Sequence, residues 1–139
     1  MDIGFTGTQD GMTYRQQCAF GVEIETFSPE RFRHGLCIGA DEQAHWITRT
    51  FAPKAIIYGH PPTNTSKMAR CPVDVMNDPA EYLARNRHIV DLSDMLIAGP
   101  KGPEETRSGT WSTVRYARKL GRPIKIIWPD GSVSAEDAT

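Results

Sequence analysis

Five short apolar runs, spread over almost the whole chain, constrain its fold more than any other feature. They occupy residues 3–6, 35–38, 55–58, 95–98 and 124–128. Each run is too short for a buried helix, and none shows the strict alternation of apolar and polar residues that is typical of a strand with one face in water. We therefore predict five strands in a parallel sheet that is covered on both faces.

The segments between these runs are amphipathic. In two of them the apolar residues fall at helical spacing, namely Ala40, Ala44, Ile47 and Phe51 in one and Val114, Ala117 and Leu120 in the other. Strands that alternate with helices are expected to be joined by right-handed crossovers. This pattern predicts a Rossmann-like, doubly wound α/β fold, whose ligands lie outside the carboxyl ends of the strands.

The third helix has the clearest predicted start. Asp78 is a natural N-cap, Pro79 suits the first helical position, and Glu81 completes a pattern like a capping box. Residues 59–78 have prolines, polar residues and no period, which predicts a long loop. We expect a single domain over residues 1–130, followed by a turn and a flexible tail over residues 131–139.

The charges nearly balance: 16 Lys and Arg against 17 Asp and Glu give a formal net charge of −1. No overall field would then draw the protein to nucleic acid or to an anionic membrane. Cys18, Cys37 and Cys71 are odd in number and widely spaced, which indicates a reducing compartment rather than a disulfide framework or a metal site. Because the amino terminus is unlike a signal peptide and no apolar run is long, we expect a cytoplasmic protein.

The loops that follow the predicted strands carry most of the functional signal. The first, second and fourth read GTQDG, GADE and GPKGPEETRSGTW, and all three contain glycine and lead into helices. Glycine lets backbone N–H groups come close to a ligand, and a helix amino terminus adds partial positive charge, so these loops together can bind a phosphate. For each loop taken alone, the alternative is that glycine only permits a tight strand-to-helix turn.

Several polar residues of these loops have two interpretations each. Ser108 or Thr110 caps the last helix, which would still leave first-turn N–H groups for a phosphate. Lys101 pairs with a phosphate or is only solvated. Asp41 caps the second helix by default, and Asp10 accepts hydrogen bonds from a ribose or from its own turn.

Asn86 stands out within the predicted third helix. It shares a stripe with Leu83 and Val90, so an amide lies on an otherwise apolar face, where leaving it unpaired costs about 1–3 kcal/mol. Its partner is either a neighbouring loop or a ligand. Arg85 beside it is either solvated or within reach of a phosphate.

Four segments, in the order GFTGTQDGMT, HGLCIGADEQAHWI, RNRHIVDLSDMLIAGP and SGTWSTVRYARKLGRPIKII, resemble the SLOG superfamily of Rossmann-like nucleotide-binding proteins. That superfamily includes the DNA-processing protein DprA, the LOG phosphoribohydrolases, molybdenum-cofactor carriers and small YspA-like proteins. The YspA-like pattern is the most similar, with a Gly-rich turn ending in Asp, a GAD before the second helix, an RN pair and a late GT. The resemblance implies a nucleotide or nucleotide-derived ligand and a homodimer.

The resemblance also implies the residues that bind this ligand. They are Gly7, Thr8, Gln9, Asp10 and Gly11 in a first phosphate- or ribose-binding loop, Gly39 and Asp41 in a second, Arg85 and Asn86 from the third helix, Gly99 and Lys101 after the fourth strand, and Ser108, Gly109 and Thr110 at the family's GGxGT segment.

In LOG-type enzymes the GGxGT segment continues into a carboxylate that acts in cleavage of the N-glycosidic bond. Here Trp111, Ser112 and Thr113 follow instead, so the acid expected by resemblance is missing. Hydrolysis of that bond needs a carboxylate. The catalytic candidates that remain are Asp10, Glu104 and Glu105.

Three hypotheses on function result. The first is a module that binds a nucleotide-type molecule for sensing, sequestration or carriage, and the missing carboxylate favours it. The second is a nucleoside 5′-monophosphate N-glycohydrolase or a related nucleotide-processing enzyme. The third is a molybdenum-cofactor carrier, which needs a pterin-sized ligand. DNA binding of the DprA kind would call for a basic excess that this chain lacks.

Overall fold

The structure, a computed structural model, describes residues 1–138 and consists of one sheet with helices on both faces. The strands are β1 (Asp2–Gly7), β2 (Arg31–His34), β3 (Ile56–Gly59), β4 (Val75–Met76), β5 (Met95–Gly99), β6 (Ile124–Ile127) and β7 (Val133–Glu136). The helices are α1 (Tyr14–Phe27), α2 (Ala40–Phe51), α3 (Tyr82–Asp91) and α4 (Gly109–Lys119). None of these helices is long and apolar enough to cross a bilayer.

The strands lie in the order β4-β3-β2-β1-β5-β6-β7, and every neighbouring pair is parallel except β6 and β7. Alternate residues of β5 show that both faces of the sheet are covered. Met95 and Ile97 belong to a core that includes residues of α1 and α2, whereas Leu96 and Ala98 belong to a second core with residues of α3 and α4. The predicted α/β fold with a mainly parallel sheet is therefore confirmed.

The second strand was predicted in the wrong place. β2 ends at His34, and the apolar run 35–38 leaves the sheet because Leu36 adopts the left-handed φ of 55°. The run pairs with the long loop instead: the Ala69 N–H donates to the Leu36 carbonyl oxygen at 2.7 Å, and Cys37 forms an isolated bridge with Met68. The true strand was not predicted because its buried residues include polar ones, which are buried together with their hydrogen-bond partners.

The third helix begins later than predicted. Its N-cap is Glu81, whose side chain makes no capping hydrogen bond, and Asp78 lies outside the helix. The preceding residue, Ala80, is held in an extended bridge: its N–H donates to the Pro61 carbonyl oxygen at 3.2 Å, and the Thr63 N–H donates to its carbonyl oxygen at 3.0 Å. These contacts with the long loop override the local capping signal.

Two further strands raise the number from the predicted five to seven. β4 lies within the segment 59–78 that was predicted as a loop throughout. β7 lies within the segment 131–139 that was predicted as a flexible tail, and it pairs antiparallel with β6. Glu136 fixes this strand, because Arg118 of α4 donates to both of its carboxylate oxygens at 2.8 and 2.9 Å. Residue 139 of the predicted tail lies outside the described residues.

The sheet topology places its loops for ligand binding. From the central strand β1 the chain first builds β2, β3 and β4 on one side, and then returns to β5 on the other. The loops after β1 and β5 therefore diverge at the point where the strand order reverses, which is where ligands bind in folds of this kind. Gln16 of α1 anchors this edge, because its amide nitrogen donates to the carbonyl oxygens of Pro100 at 2.7 Å and Ile127 at 2.9 Å.

Candidate ligand-binding site

A cavity of about 610 Å³ lies at the carboxyl edge of the sheet, beside the ends of β1 and β5. Sites for small molecules commonly measure roughly 300–1,000 Å³. Most of the residues predicted to bind a ligand line this cavity, namely Gly7, Thr8, Gln9, Asp10, Asp41, Arg85, Asn86, Lys101, Ser108, Gly109 and Thr110. Segments far apart in the sequence are thus brought to one place.

Three of the predicted glycines, Gly11, Gly39 and Gly99, lie outside the cavity lining. Gly39 has a φ of 85°, and a Cβ there would lie 2.6 Å from the Gln9 carbonyl carbon. The Gly99 carbonyl oxygen accepts a hydrogen bond from the Thr8 N–H at 3.1 Å. Gly39 and Gly99 therefore join neighbouring loops to each other, which favours the tight-turn interpretation at these positions.

The amino terminus of α4 opens onto the cavity. Ser108 is its N-cap: Oγ accepts from the Trp111 N–H at 3.2 Å, and the carbonyl oxygen accepts from the Ser112 N–H at 2.9 Å. The N–H groups of Gly109 and Thr110 have no hydrogen-bond acceptor among residues 1–138. A Cβ built on Gly109 would meet nothing within 4 Å, so the space in front of this helix end is open. These are the properties of an anion-binding helix terminus.

Basic side chains line the same cavity as this helix end. Lys67, Lys101 and Arg107 are exposed residues that line the cavity. Lys101 Nζ lies 3.7 Å from the Asp10 carboxylate, with exposed side-chain fractions of 61% and 74%. Because solvent screens so exposed an ion pair, it contributes little stability and leaves the lysine free to turn toward an anionic ligand.

Asp41 is buried in the floor of the cavity and does not cap its own helix. Its Oδ2 accepts hydrogen bonds from the N–H groups of Gly35 at 3.1 Å and Cys37 at 3.2 Å. Burial raises the pKa of this carboxyl to about 6, and the Arg85 guanidinium and the two N–H groups oppose the rise. A carboxylate in this environment is better suited to hydrogen-bond donors than to a phosphate.

Arg85 is also buried, so it is not a solvated residue, and it lines the cavity. Its guanidinium donates to the main-chain carbonyl oxygens of Gly35 and of His60, the latter at 3.0 Å. Its Nε donates to Asn86 Oδ1 at 2.8 Å, so the amide oxygen of Asn86 has this neighbouring side chain as its partner. Arg85 thus acts mainly as a positioning residue that holds loops together beneath the cavity.

Beneath the cavity lies a pair of buried histidines for which sequence reasoning assigned no role. His34 Nδ1 accepts from the Leu36 N–H at 3.0 Å, and its Nε2 lies 3.1 Å from His45 Nδ1. The first contact requires an unprotonated Nδ1, so Nε2 carries the hydrogen and donates to His45. Burial lowers the pKa of His34 to about 3 and that of His45 to about 4, so both rings are neutral.

The three carboxylates predicted as catalytic are placed differently. Glu104 lies outside the cavity lining, where its oxygens accept from Arg118 at 2.9 Å and Arg115 at 3.2 Å, and these hydrogen bonds lower the pKa of its carboxyl. Asp10 and Glu105 line the cavity but are exposed. In residues 1–138 no group of three His, Cys, Asp or Glu side chains is arranged to hold a metal ion.

Several lining residues were missed by the sequence analysis. Asn64, Ser66 and Lys67 belong to the long loop after β3, which folds back over the cavity although it shows no sequence period. Tyr82, at the start of α3, lines the cavity with its ring 5.2 Å from the Arg85 guanidinium carbon. The start of α3 was predicted too early in the chain, so Tyr82, which lies next to the true N-cap, was not selected.

No family model and no curated protein sequence matches this chain. Solved structures do match. The molybdenum cofactor binding protein from the phototrophic bacterium Rippkaea orientalis is 24% identical with a TM-score of 0.69, over 91% of this chain and 75% of that one. The structural genomics target TM1055 is 16% identical with a TM-score of 0.64, over 89% of this chain and 72% of that one. At these identities the similarity shows a shared fold, and that fold is Rossmann-like.

Proposed function

We propose that this protein binds a small anionic molecule, of nucleotide or nucleotide-derived type, at the carboxyl edge of its sheet. The observation that carries the proposal is the amino terminus of α4, where the N–H groups of Gly109 and Thr110 face an open cavity without an acceptor among the described residues. Two such N–H groups together with the helix dipole form a binding site for a phosphate.

The charges and the size of the cavity support this ligand class. Lys67, Lys101 and Arg107 are near enough to line the same cavity, and none of the three is buried. Phosphate groups are commonly bound by lysine and arginine together with backbone N–H groups. A cavity of about 610 Å³ can hold a molecule larger than a free phosphate.

The three carboxylates predicted as catalytic favour binding over hydrolysis of an N-glycosidic bond. Glu104 is held by two arginines outside the cavity lining, and Asp10 and Glu105 are exposed. A general acid or base must come within hydrogen-bond distance of the reacting group. Incubation with a panel of nucleoside monophosphates should therefore show saturable binding and no release of base.

The molybdenum cofactor is the second candidate ligand, because one structural neighbour is named for binding it. A pterin-sized molecule with a phosphate could use the same helix terminus. Native mass spectrometry of the purified protein would separate the two candidates by the mass of the molecule that copurifies. The SLOG assignment, the similarity to YspA-like proteins and the homodimer that the sequence resemblance implies belong to the same proposal, and light scattering would test the dimer.

Gly109 allows a matched test of the phosphate site. The residue before it, Ser108, has the extended φ of −95° and ψ of 129° that a following proline favours. Proline is also well accepted at the first helical position, so Gly109→Pro should remove one N–H and leave the helix intact. Gly109→Ala keeps the N–H and adds a Cβ where nothing lies within 4 Å.

Calorimetric titration with ribose 5-phosphate and with nucleoside monophosphates is the measurement. Loss of one hydrogen bond to a charged group costs about 1.5–3 kcal/mol, so Gly109→Pro should weaken binding at least about tenfold relative to Gly109→Ala. Equal affinities of the two variants, or the absence of any binding to the unaltered protein, would contradict the proposal.

A further inference from the structure

One of the two carboxylate oxygens of Asp41 forms no hydrogen bond with the described part of the protein. The residue is only 6% exposed, and Oδ2 is occupied by two main-chain N–H groups, but Oδ1 has no hydrogen-bond partner among residues 1–138. The side chain lines the cavity, so this oxygen is available from there. A carboxylate oxygen can accept two hydrogen bonds. The cavity floor therefore offers an acceptor to a ligand that has hydrogen-bond donors.

The donors and the phosphate would bind at opposite ends of the cavity. Asp41 follows β2, whereas Gly109 and Thr110 follow β5, and β1 lies between these two strands. Neighbouring strands are about 4.8 Å apart, so the carboxyl ends of β2 and β5 are roughly 10 Å apart. A phosphate joined through a ribose or a similar spacer to a heterocycle has a length of this order.

The lining of the cavity also suits a flat ring. Tyr82 is part of the lining, and the Arg85 guanidinium carbon lies 5.2 Å from the centroid of the Tyr82 ring. Ile89 contributes an apolar surface to the same lining. Aromatic rings stack favourably on other flat rings.

We propose that Asp41 binds the donor edge of a 2-amino-4-oxopyrimidine ring, the ring shared by guanine and pterins, in a ligand whose phosphate lies at the amino terminus of α4. This inference rests on the proposed function and specifies its ligand. In such a ring a nitrogen N–H and the neighbouring amino group point the same way, so both can donate to Oδ1. Adenine instead places a ring-nitrogen lone pair beside its amino group, and that lone pair would face the carboxylate.

Titration calorimetry on the unaltered protein tests whether it prefers ligands that contain this ring. The probes are GMP, neopterin monophosphate, AMP and ribose 5-phosphate. GMP or neopterin monophosphate should bind at least about fivefold more tightly than AMP and ribose 5-phosphate, since a well-formed pair of hydrogen bonds to a base edge is worth about 1–3 kcal/mol. Whichever of GMP and neopterin monophosphate binds more tightly shows whether the ring belongs to guanine or to a pterin, and either result supports the inference.

A variant of Asp41 tests whether this residue is responsible for the preference. In Asp41→Asn the amide oxygen can still accept from Gly35 and Cys37, but the group facing the cavity becomes a donor. The preference for GMP or neopterin monophosphate over ribose 5-phosphate should fall at least about fivefold. The matched control is Asp137→Asn, an exposed carboxylate outside the cavity lining, which should keep the preference.

The outcomes separate this inference from the proposed function. Equal binding of GMP, neopterin monophosphate, AMP and ribose 5-phosphate would overturn the role of Asp41 and leave the phosphate site standing. A preference for AMP, or an Asp41→Asn variant that keeps the preference for GMP, would also overturn it. If none of the four compounds bound, both proposals would fail. Should Asp41→Asn not fold, the comparison of the four compounds on the unaltered protein decides alone.

Discussion

Asp41 and Arg85 form hydrogen bonds with the same residue, Gly35: Asp41 with its N–H group and Arg85 with its carbonyl oxygen. Asp41 Oδ2 accepts from the Gly35 N–H at 3.1 Å, and the Arg85 guanidinium donates to the Gly35 carbonyl oxygen. A carboxylate from α2 and a guanidinium from α3 thereby fix the chain just after β2, at the floor of the cavity. The two buried side chains are thus linked through the main chain of Gly35.

Gly35→Ala should disturb this arrangement. A Cβ at position 35 would lie 2.7 Å from Arg85 Cζ and 3.0 Å from Asp41 Oδ2, so both side chains would have to give up their hydrogen bonds to Gly35 to make room. We expect a loss of about 1–3 kcal/mol in the free energy of unfolding, measured in urea. Gly102→Ala is the control, because a Cβ there meets nothing within 4 Å. Equal stability of the two variants would show that Gly35 is not closely packed.

Asp41 should make stability depend on pH in a defined direction. Its pKa in the folded protein is about 6, above the ordinary 3.8, so the folded state favours the protonated form. The stability from this effect is present below pH 3.8 and is lost as the pH rises through 6. Asp41→Asn removes the effect. Its stability relative to the unaltered protein should therefore rise between pH 4 and pH 7, by on the order of 3 kcal/mol.

Chemical denaturation at several pH values measures this difference. The Asp137→Asn protein, in which an exposed carboxyl outside the cavity lining is replaced by the same amide, is the matched control. A stability difference for Asp41→Asn that did not change with pH would contradict the raised pKa of Asp41. Because both proteins are compared at the same pH, the contribution of His34 and His45 to stability cancels. Their lowered pKa values change stability with pH in the direction opposite to that of Asp41.

The His34–His45 contact predicts a particular tautomer for each ring. Both should be neutral at pH 6 with the hydrogen on Nε2, because each Nδ1 accepts a hydrogen bond. Nitrogen chemical shifts of the imidazole rings report this directly. A charged ring at pH 6, or a hydrogen on either Nδ1, would contradict the arrangement. Stability from these histidines is present above pH 6.5 and is lost as the pH falls toward 4 and 3.

The position of Glu104 yields a test of the hydrolase hypothesis. Glu104→Gln should leave the affinity for nucleoside monophosphates unchanged, because the side chain contacts Arg115 and Arg118 outside the cavity lining. Lys101→Ala should weaken the same binding several-fold, because it removes a flexible cation from the lining. Loss of binding in Glu104→Gln, or release of base that this variant abolishes, would place Glu104 in the site after all.

The sequence predicted the fold class where apolar runs are buried by simple packing. The runs at β1, β3, β5 and β6 are strands, and the periodic residues around Ala44 and Val114 are helical. The prediction failed where polar residues are buried through specific partners. Arg33 of β2 is buried because it donates to Asp2 at 3.0 and 3.2 Å, and a hydropathy pattern cannot anticipate a partner 31 residues away.

The same distinction applies to the candidate site. Glycine-bearing loops at one sheet edge were predicted from local pattern, and most of their polar residues do line one cavity. Of the apolar stripe predicted around Asn86, Val90 is buried but Leu83 is 54% exposed. The free oxygen of Asp41 depends on main-chain N–H groups after β2, and only the left-handed turn at Leu36 brings those groups into position.

The most direct test of the account is the response of two backbone amides to a phosphate-bearing ligand. In a nitrogen–proton correlation spectrum titrated with ribose 5-phosphate, the Gly109 and Thr110 amide protons should shift downfield and saturate together, because the ligand supplies the acceptor that they lack. If these two resonances stayed in place while the ligand saturated another part of the protein, or if no resonance moved, the proposed site at the start of α4 would be wrong.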